Sequence, residues 1–135
     1  FDYEKFPDPV EPDGHPFKGN QILAELGYSN DLREAIMGHA LYSGVPRTTQ
    51  MAKTLFAVDE LSGLITASVL VRPDRSIANL EARSVLKKMK DKAFARGCNR
   101  DDIKLGAEEL GIELETHVAN CIKAMQERWD LGIDD

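Results

Sequence analysis

Apolar residues recur every three or four positions along most of the chain, a spacing that places them on one face of an α-helix. Glycine, proline and capping residues divide this pattern into helical segments. The segments are expected to begin near Pro16, Asn30, Thr49, Ser76, Asn99 and Leu114. No stretch alternates as a half-buried strand does, and no internal repeat is visible. The sequence therefore predicts an all-α, single-domain helical bundle spanning residues 1–135.

Several helix ends can be predicted from local chemistry. Pro16 suits the first position of a helix, where its missing N–H costs nothing, and Gly27 is typical of the residue that stops one. Ser29 or Asn30 is expected to cap the second helix and Asn99 a later one. The last helix is expected to run from about residue 114 to residue 131.

Residues 1–14 form a different kind of segment. They contain three of the six prolines, together with five acids and one base. Proline cannot donate to a helix or sheet ladder, so we expect an irregular acidic segment ahead of the first helix.

Composition limits the class of protein. The chain has 135 residues and 42% hydrophobic residues, enough for one globular core. Its two cysteines, Cys98 and Cys121, cannot build a disulfide framework, and there is no signal-like start, so a reducing, cytoplasmic compartment is the expectation. The longest apolar stretch, residues 64–71, is too short to span a bilayer, so no membrane partner is expected.

The net charge of −6 is unevenly distributed. It argues against binding duplex nucleic acid over the whole surface. Residues 72–104, however, hold ten bases and five acids, centred on Lys87, Lys88, Lys90 and Lys92. This basic segment is either a solvated helix face or a patch for an anionic ligand such as a phosphate ester.

Three polar residues could carry chemistry, although no phosphate-binding glycine loop, zinc-finger cysteine pair or serine-nucleophile elbow is present. His15 precedes a helix, where it is a local cap, an exposed loop side chain or a ligand. His39 lies on an apolar stripe, the usual place for a core histidine. Asp59 has mostly apolar or small neighbours, whereas Glu60 is the better candidate for the solvated side. A buried carboxylate needs a cationic partner or a metal, and both readings stay open.

The chain resembles the C-terminal portion of HD-domain proteins, the superfamily of metal-dependent phosphohydrolases, in their HDIG-like branch. The resemblance rests on an ordered set of pieces covering most of the chain. They are DYEKFPD (2–8), GHPFKG (14–19), ELGYSNDLREAIMGHA (25–40), GVPR (44–47), KTLFAVDELSGLITASVLVRP (53–73) and KKMKDKAFARGCNRDDI (87–103).

The resemblance implies an all-α fold whose histidines and aspartates converge on one or two divalent metals. By position, Asp59 looks like the late metal-binding aspartate of the family, and His15 and His39 look like the two histidines that hold a second metal. The metal would be Mn, Mg, Fe or Zn. In relatives a His-Asp dyad stands immediately before the DYEKFPD piece. That dyad and the family's N-terminal helices are therefore expected to be absent from this chain. The remaining residues either still bind the metal or have lost it together with the dyad.

The resemblance also implies a function: hydrolysis of a small phosphate ester or nucleotide by metal-activated water. The candidate phosphate contacts are Lys18, Arg47, Lys87, Lys88, Lys90 and Lys92. The alternatives are a degenerate HD-like module without catalysis, and an inactive fragment of such an enzyme. A second copy of the chain is a further candidate partner, since loss of the family's early helices would expose an apolar patch.

Overall fold

A computed structural model describes residues 2–7, 9 and 12–129, and every regular element in these ranges is helical. The α-helices are α1 (Phe17–Glu25), α2 (Asn30–His39), α3 (Gln50–Leu70), α4 (Ala82–Lys90), α5 (Arg100–Glu109) and α6 (Leu114–Gln126). Two short 3-10 turns, Leu41–Ser43 and Phe94–Gly97, lie between them. The prediction of an all-α fold is confirmed.

The predicted helix starts agree with the structure to within a residue or two, except in one region. The Ser29 side chain accepts a hydrogen bond from the Leu32 N–H, and Asn99 caps α5 in the same way. Pro16 is the N-cap of α1 rather than its first residue. The last predicted residue of the final helix, Leu131, lies outside the described residues.

The region between Ser76 and the Asn99 cap, expected as a single helical segment, is not one continuous helix. It is divided by an irregular stretch before α4 and by a turn after it. The turn has a local cause: one carboxylate oxygen of Asp91 accepts hydrogen bonds from the backbone N–H groups of Ala93 and Phe94. Aspartate often competes with the helix in this way.

The contacts divide the chain into two compact units, Phe1–Phe56 and Ala57–Asp135, with α3 contributing to both. The second unit holds a continuous apolar core. Its largest fully buried side chains are Leu61, Ile65, Val69, Val85, Ile103 and Val118. The core joins one face of α3 to α4, α5 and α6.

The first unit buries fewer large side chains. Its buried apolar side chains in the described ranges are Pro16, Ala35, Met37, Ala40, Ala52 and Phe56, of which only Met37 and Phe56 are large. Polar contacts therefore matter more here. Among the described residues, no helix is long and apolar enough to cross a membrane.

Candidate functional site

Two of the three predicted metal ligands meet in the first unit. His15 lies two residues before α1, and His39 is the last residue of α2. Because α1 and α2 pack together, the two rings approach edge to face, with centroids 5.1 Å apart. Their Nε2 atoms are 3.2 Å apart.

The other nitrogen of each ring has an acceptor that fixes the tautomer. Nδ1 of His15 lies 2.5 Å from Oδ1 of Asp2, and Nδ1 of His39 contacts the backbone oxygen of Ile36. A carboxylate and a carbonyl can only accept, so each Nδ1 carries the proton that it donates. In the neutral rings, both Nε2 atoms therefore present a lone pair, and these lone pairs face each other.

Asp2 is the anchor of this arrangement. It is only 5% exposed, and its second carboxylate oxygen accepts a hydrogen bond of 2.9 Å from the N–H of Gly19 in α1. Burial raises the pKa of Asp2, but the hydrogen bonds from His15 and Gly19 outweigh it, so the pKa lies below its usual value. The carboxylate is thus held ionised against the histidine.

Gly19 is required for the close approach of Asp2. A Cβ atom at this position would lie 2.5 Å from Oδ2 of Asp2 and 2.7 Å from its Cγ. Either the carboxylate or the start of α1 would have to move. The orientation of His15 therefore depends on a residue that has no side chain.

Two tyrosines complete the surroundings of His15. The ring of Tyr3 meets the His15 ring edge to face at 5.4 Å, and the hydroxyl of Tyr42 donates to the backbone oxygen of His15 at 2.9 Å. Burial, followed by the charge of Asp2, raises the pKa of the Tyr42 phenol, so its proton is retained for this bond. Both tyrosines are more than half exposed, and the site is open to solvent.

The histidine pair suits a cation. Two lone pairs at 3.2 Å repel each other unless a proton or a metal ion lies between the nitrogens. Two imidazoles on one tetrahedral zinc, each at about 2.0–2.1 Å, would have their nitrogens about 3.3 Å apart. A partner on the opposite ring nitrogen, such as Asp2 or the Ile36 carbonyl, is the usual support of a metal-binding histidine.

Within residues 2–7, 9 and 12–129, no group of three or more His, Cys, Asp or Glu side chains is placed to hold a metal ion. Asp59, the third predicted ligand, belongs to the second unit, where it is exposed. It borders a cavity of about 320 Å³ together with Glu60, Phe94 and Cys98.

The expectation that Glu60 rather than Asp59 faces solvent is wrong. Asp59 lies opposite the buried stripe of α3, about 200° round the helix from both Ala57 and Leu61. Glu60 lies at the edge of that stripe, is half-buried, and accepts a hydrogen bond of 3.0 Å from the backbone N–H of Asn99.

The predicted phosphate contacts have different environments. Nζ of Lys18 lies 3.9 Å from Asp13 and 3.5 Å from the side-chain oxygen of Gln21. Arg47 donates to the backbone oxygen of Gly38 and places its guanidinium 3.9 Å from the centre of the Phe56 ring, so it holds together the end of α2 and the start of α3.

The four lysines of the basic segment all lie in the second unit and are divided by their surroundings. Lys87 and Lys88 border a cavity between the end of α3 and α4. Lys90 and Lys92 are exposed and do not line it.

Asp2 and Gly19 were missed by reasoning from the sequence. Both lie inside pieces that carry the family resemblance, DYEKFPD and GHPFKG, and that was the available signal. Composition assigned Asp2 to an irregular acidic segment, because nothing local pairs it with a residue 13 positions away.

No protein-family model, no curated protein and no solved structure matches this chain.

Proposed function

We propose that this chain is an HD-type helical domain of a metal-dependent phosphohydrolase, in which His15 and His39 hold a divalent cation. The substrate would be a small phosphate ester or nucleotide. The observation that supports the proposal is the pair of opposed Nε2 atoms, 3.2 Å apart, with each Nδ1 committed to an acceptor. A positive charge between the rings would relieve the repulsion of the two lone pairs.

The donor set fits a borderline metal. Neutral imidazole suits Zn²⁺ and Fe²⁺, whereas Mg²⁺ and Mn²⁺ prefer oxygen ligands. Two protein ligands leave coordination positions for water and for phosphate oxygens. Asp59 enters the proposal only through the family resemblance.

A divalent cation at this site would act as a Lewis acid that activates water and offsets the charge of a phosphate group. The chain's own residues do the positioning. Asp2 holds His15 with its Nε2 unprotonated, and the Ile36 carbonyl does the same for His39. Tyr42 fixes the backbone of His15. Lys18, in the first turn of α1, is the cation of this unit that we assign to the phosphate.

A second function is favoured by the absence of a third ligand in the described ranges. Two histidines alone would bind a metal with low affinity. Low affinity suits a non-catalytic module that has the HD-type fold without its activity. In that case the histidine pair would bind a metal or share a proton, and no phosphate ester would be turned over.

Metal binding separates these readings from a purely structural pair. We expect the full chain to bind Zn²⁺ or Co²⁺ in isothermal titration, and the His15→Gln and His39→Gln variants to lose at least tenfold in affinity. Gly19→Ala, which displaces Asp2 without removing a ligand, should weaken binding by about 10–100-fold.

His117→Gln is the matched control, because His117 is buried in the second unit and donates to the backbone oxygen of Ala57. Equal affinity in all variants would overturn the metal site.

Turnover then separates the enzyme from the module. The same proteins are incubated with p-nitrophenyl phosphate and with nucleoside monophosphates in Zn²⁺, Mn²⁺, Mg²⁺ or Fe²⁺. Hydrolysis that requires metal and is lost in His15→Gln supports the phosphohydrolase. Metal binding without hydrolysis in any of the four metals supports the module instead.

A further inference from the structure

We propose that the cavity between the end of α3 and α4 is a binding site for a small organic phosphate that carries an apolar group. The cavity has a volume of about 390 Å³ and lies wholly within the second unit. This volume is in the range of small-molecule sites. The inference does not rest on the proposed function, since it uses none of the residues of the histidine pair.

One side of the cavity is apolar. Val71 and Pro73, which follow the end of α3, line it together with Leu80. Leu80 is buried, but Val71 is 54% exposed. An apolar group seated here would cover Val71, which the fold leaves open.

The other side is basic. Lys87 and Lys88 border the cavity from α4, and Arg72 borders it from the segment that follows α3. Arg72 is paired with Asp74 at 3.1 Å, so its charge is partly offset. Neither lysine forms an ion pair among the described residues, and the ammonium of Lys88 lies 4.7 Å from the centre of the Phe94 ring.

One acid lies among the bases of the cavity. Asp91 lines it and keeps its negative charge, while its Oδ1 accepts the N–H groups of Ala93 and Phe94. Arg72, Lys87 and Lys88 outnumber this one acid, so the lining is positive overall. Ser84, which is exposed at the rim of the cavity, adds a hydroxyl donor. Two ammonium groups and a hydroxyl beside an apolar wall match a phosphate monoester whose alcohol part is apolar.

The test uses benzylphosphonate, whose carbon–phosphorus bond a phosphohydrolase does not cleave, in the presence of EDTA. We expect saturable amide shifts at Ser68, Val71, Ser84 and Lys88 in a ¹⁵N–¹H titration, with a Kd of about 1 mM. Inorganic phosphate and benzyl alcohol should each bind more weakly, because each supplies only half of the recognised chemistry.

The matched variants are Lys87→Gln/Lys88→Gln and Lys90→Gln/Lys92→Gln, which remove the same charge from the same segment. The first should weaken benzylphosphonate binding about tenfold or more, and the second should change it less than twofold at 0.15 M salt. Equal weakening by the two variants would mean diffuse attraction to a basic surface and would overturn the site. The absence of shifts at the lining residues, or binding that needs metal, would also overturn it.

Discussion

At the scale of single residues, one-residue steps along α3 separate side chains with different roles. Asp59 and Glu60 both border the cavity that contains Cys98, yet only Glu60 is half-buried and bonded to the backbone. Burial, and then the charge of Glu60, raises the pKa of the Cys98 thiol, while Arg100 opposes them. Burial alone raises the pKa of Cys121.

This difference predicts how the two thiols react. Glu60→Gln removes the charge but keeps an oxygen for the Asn99 N–H, so the pKa of Cys98 should fall. The sign follows directly: a lower pKa gives more thiolate at a given pH, and the pH–rate profile for alkylation by iodoacetamide moves to lower pH. Near pH 8 the alkylation rate should rise about two- to threefold because more thiolate is present. The rise is no larger because a more acidic thiol gives a weaker nucleophile.

Asp59→Asn is the control for this experiment, because it makes the same change of charge one residue away on the exposed side. Its profile should overlay that of the unmodified protein. Cys121, which is buried, should react only when the protein unfolds. A shift to higher pH in Glu60→Gln, or an equal shift in Asp59→Asn, would contradict the assignment.

At the scale of helices, α3 is the element on which the second unit is assembled. A Cβ atom on Gly106 of α5 would lie 2.5 Å from the Cα of Ala57, and His117 of α6 contacts the Ala57 backbone oxygen at 2.8 Å. Both helices therefore contact α3 at the same residue. His117 is only 4% exposed, and its contact with α3 joins residues 60 positions apart in the sequence.

Two glycine-to-alanine changes should have opposite effects. Gly106→Ala must push α5 away from the backbone of α3, which should lower the free energy of unfolding by about 1–3 kcal/mol. Gly63→Ala lies in the interior of α3 with nothing within 4 Å of the added atom, so helix propensity should raise that free energy by about 0.5–1 kcal/mol. Urea unfolding followed by circular dichroism measures both. A stabilising Gly106→Ala would show that the packing of α5 on α3 is looser than described.

At the scale of the whole molecule, the part of the fold that local chemistry determines was predictable. Caps such as Ser29 and Asn99 and the glycine after α1 locate helix ends because their hydrogen bonds are made within a few residues. The site was predictable only in part. The candidate ligands His15 and His39 were named from the family resemblance, whereas the contact of Asp2 with His15 spans 13 residues and no local pattern encodes it. The prediction that Asp59 is the less solvated of the two acids was wrong for a related reason, since the apolar neighbours of Asp59 lie on other faces of α3.

The two units should differ in how easily they open. The first unit buries only two large apolar side chains in the described ranges, and six of the eight large apolar residues that are exposed belong to it: Tyr3, Leu26, Tyr28, Leu41, Tyr42 and Met51. The second unit contains the continuous core. Regions with few buried contacts open at lower free energy than the core. In native-state hydrogen exchange, amides of α1 and α2 should therefore exchange faster than those of α5 and α6.

Metal should reduce this difference if the histidine pair holds it. A cation bound between His15 and His39 links the start of α1 to the end of α2, so both helices must separate from it to open. At a Zn²⁺ concentration about 100 times its Kd, exchange in α1 and α2 should slow about 100-fold, while α5 and α6 keep their rates. The slowing should disappear in His15→Gln and reverse on addition of EDTA. Uniform slowing across all helices would contradict binding at this pair, because a ligand of His15 and His39 should stabilise the first unit selectively.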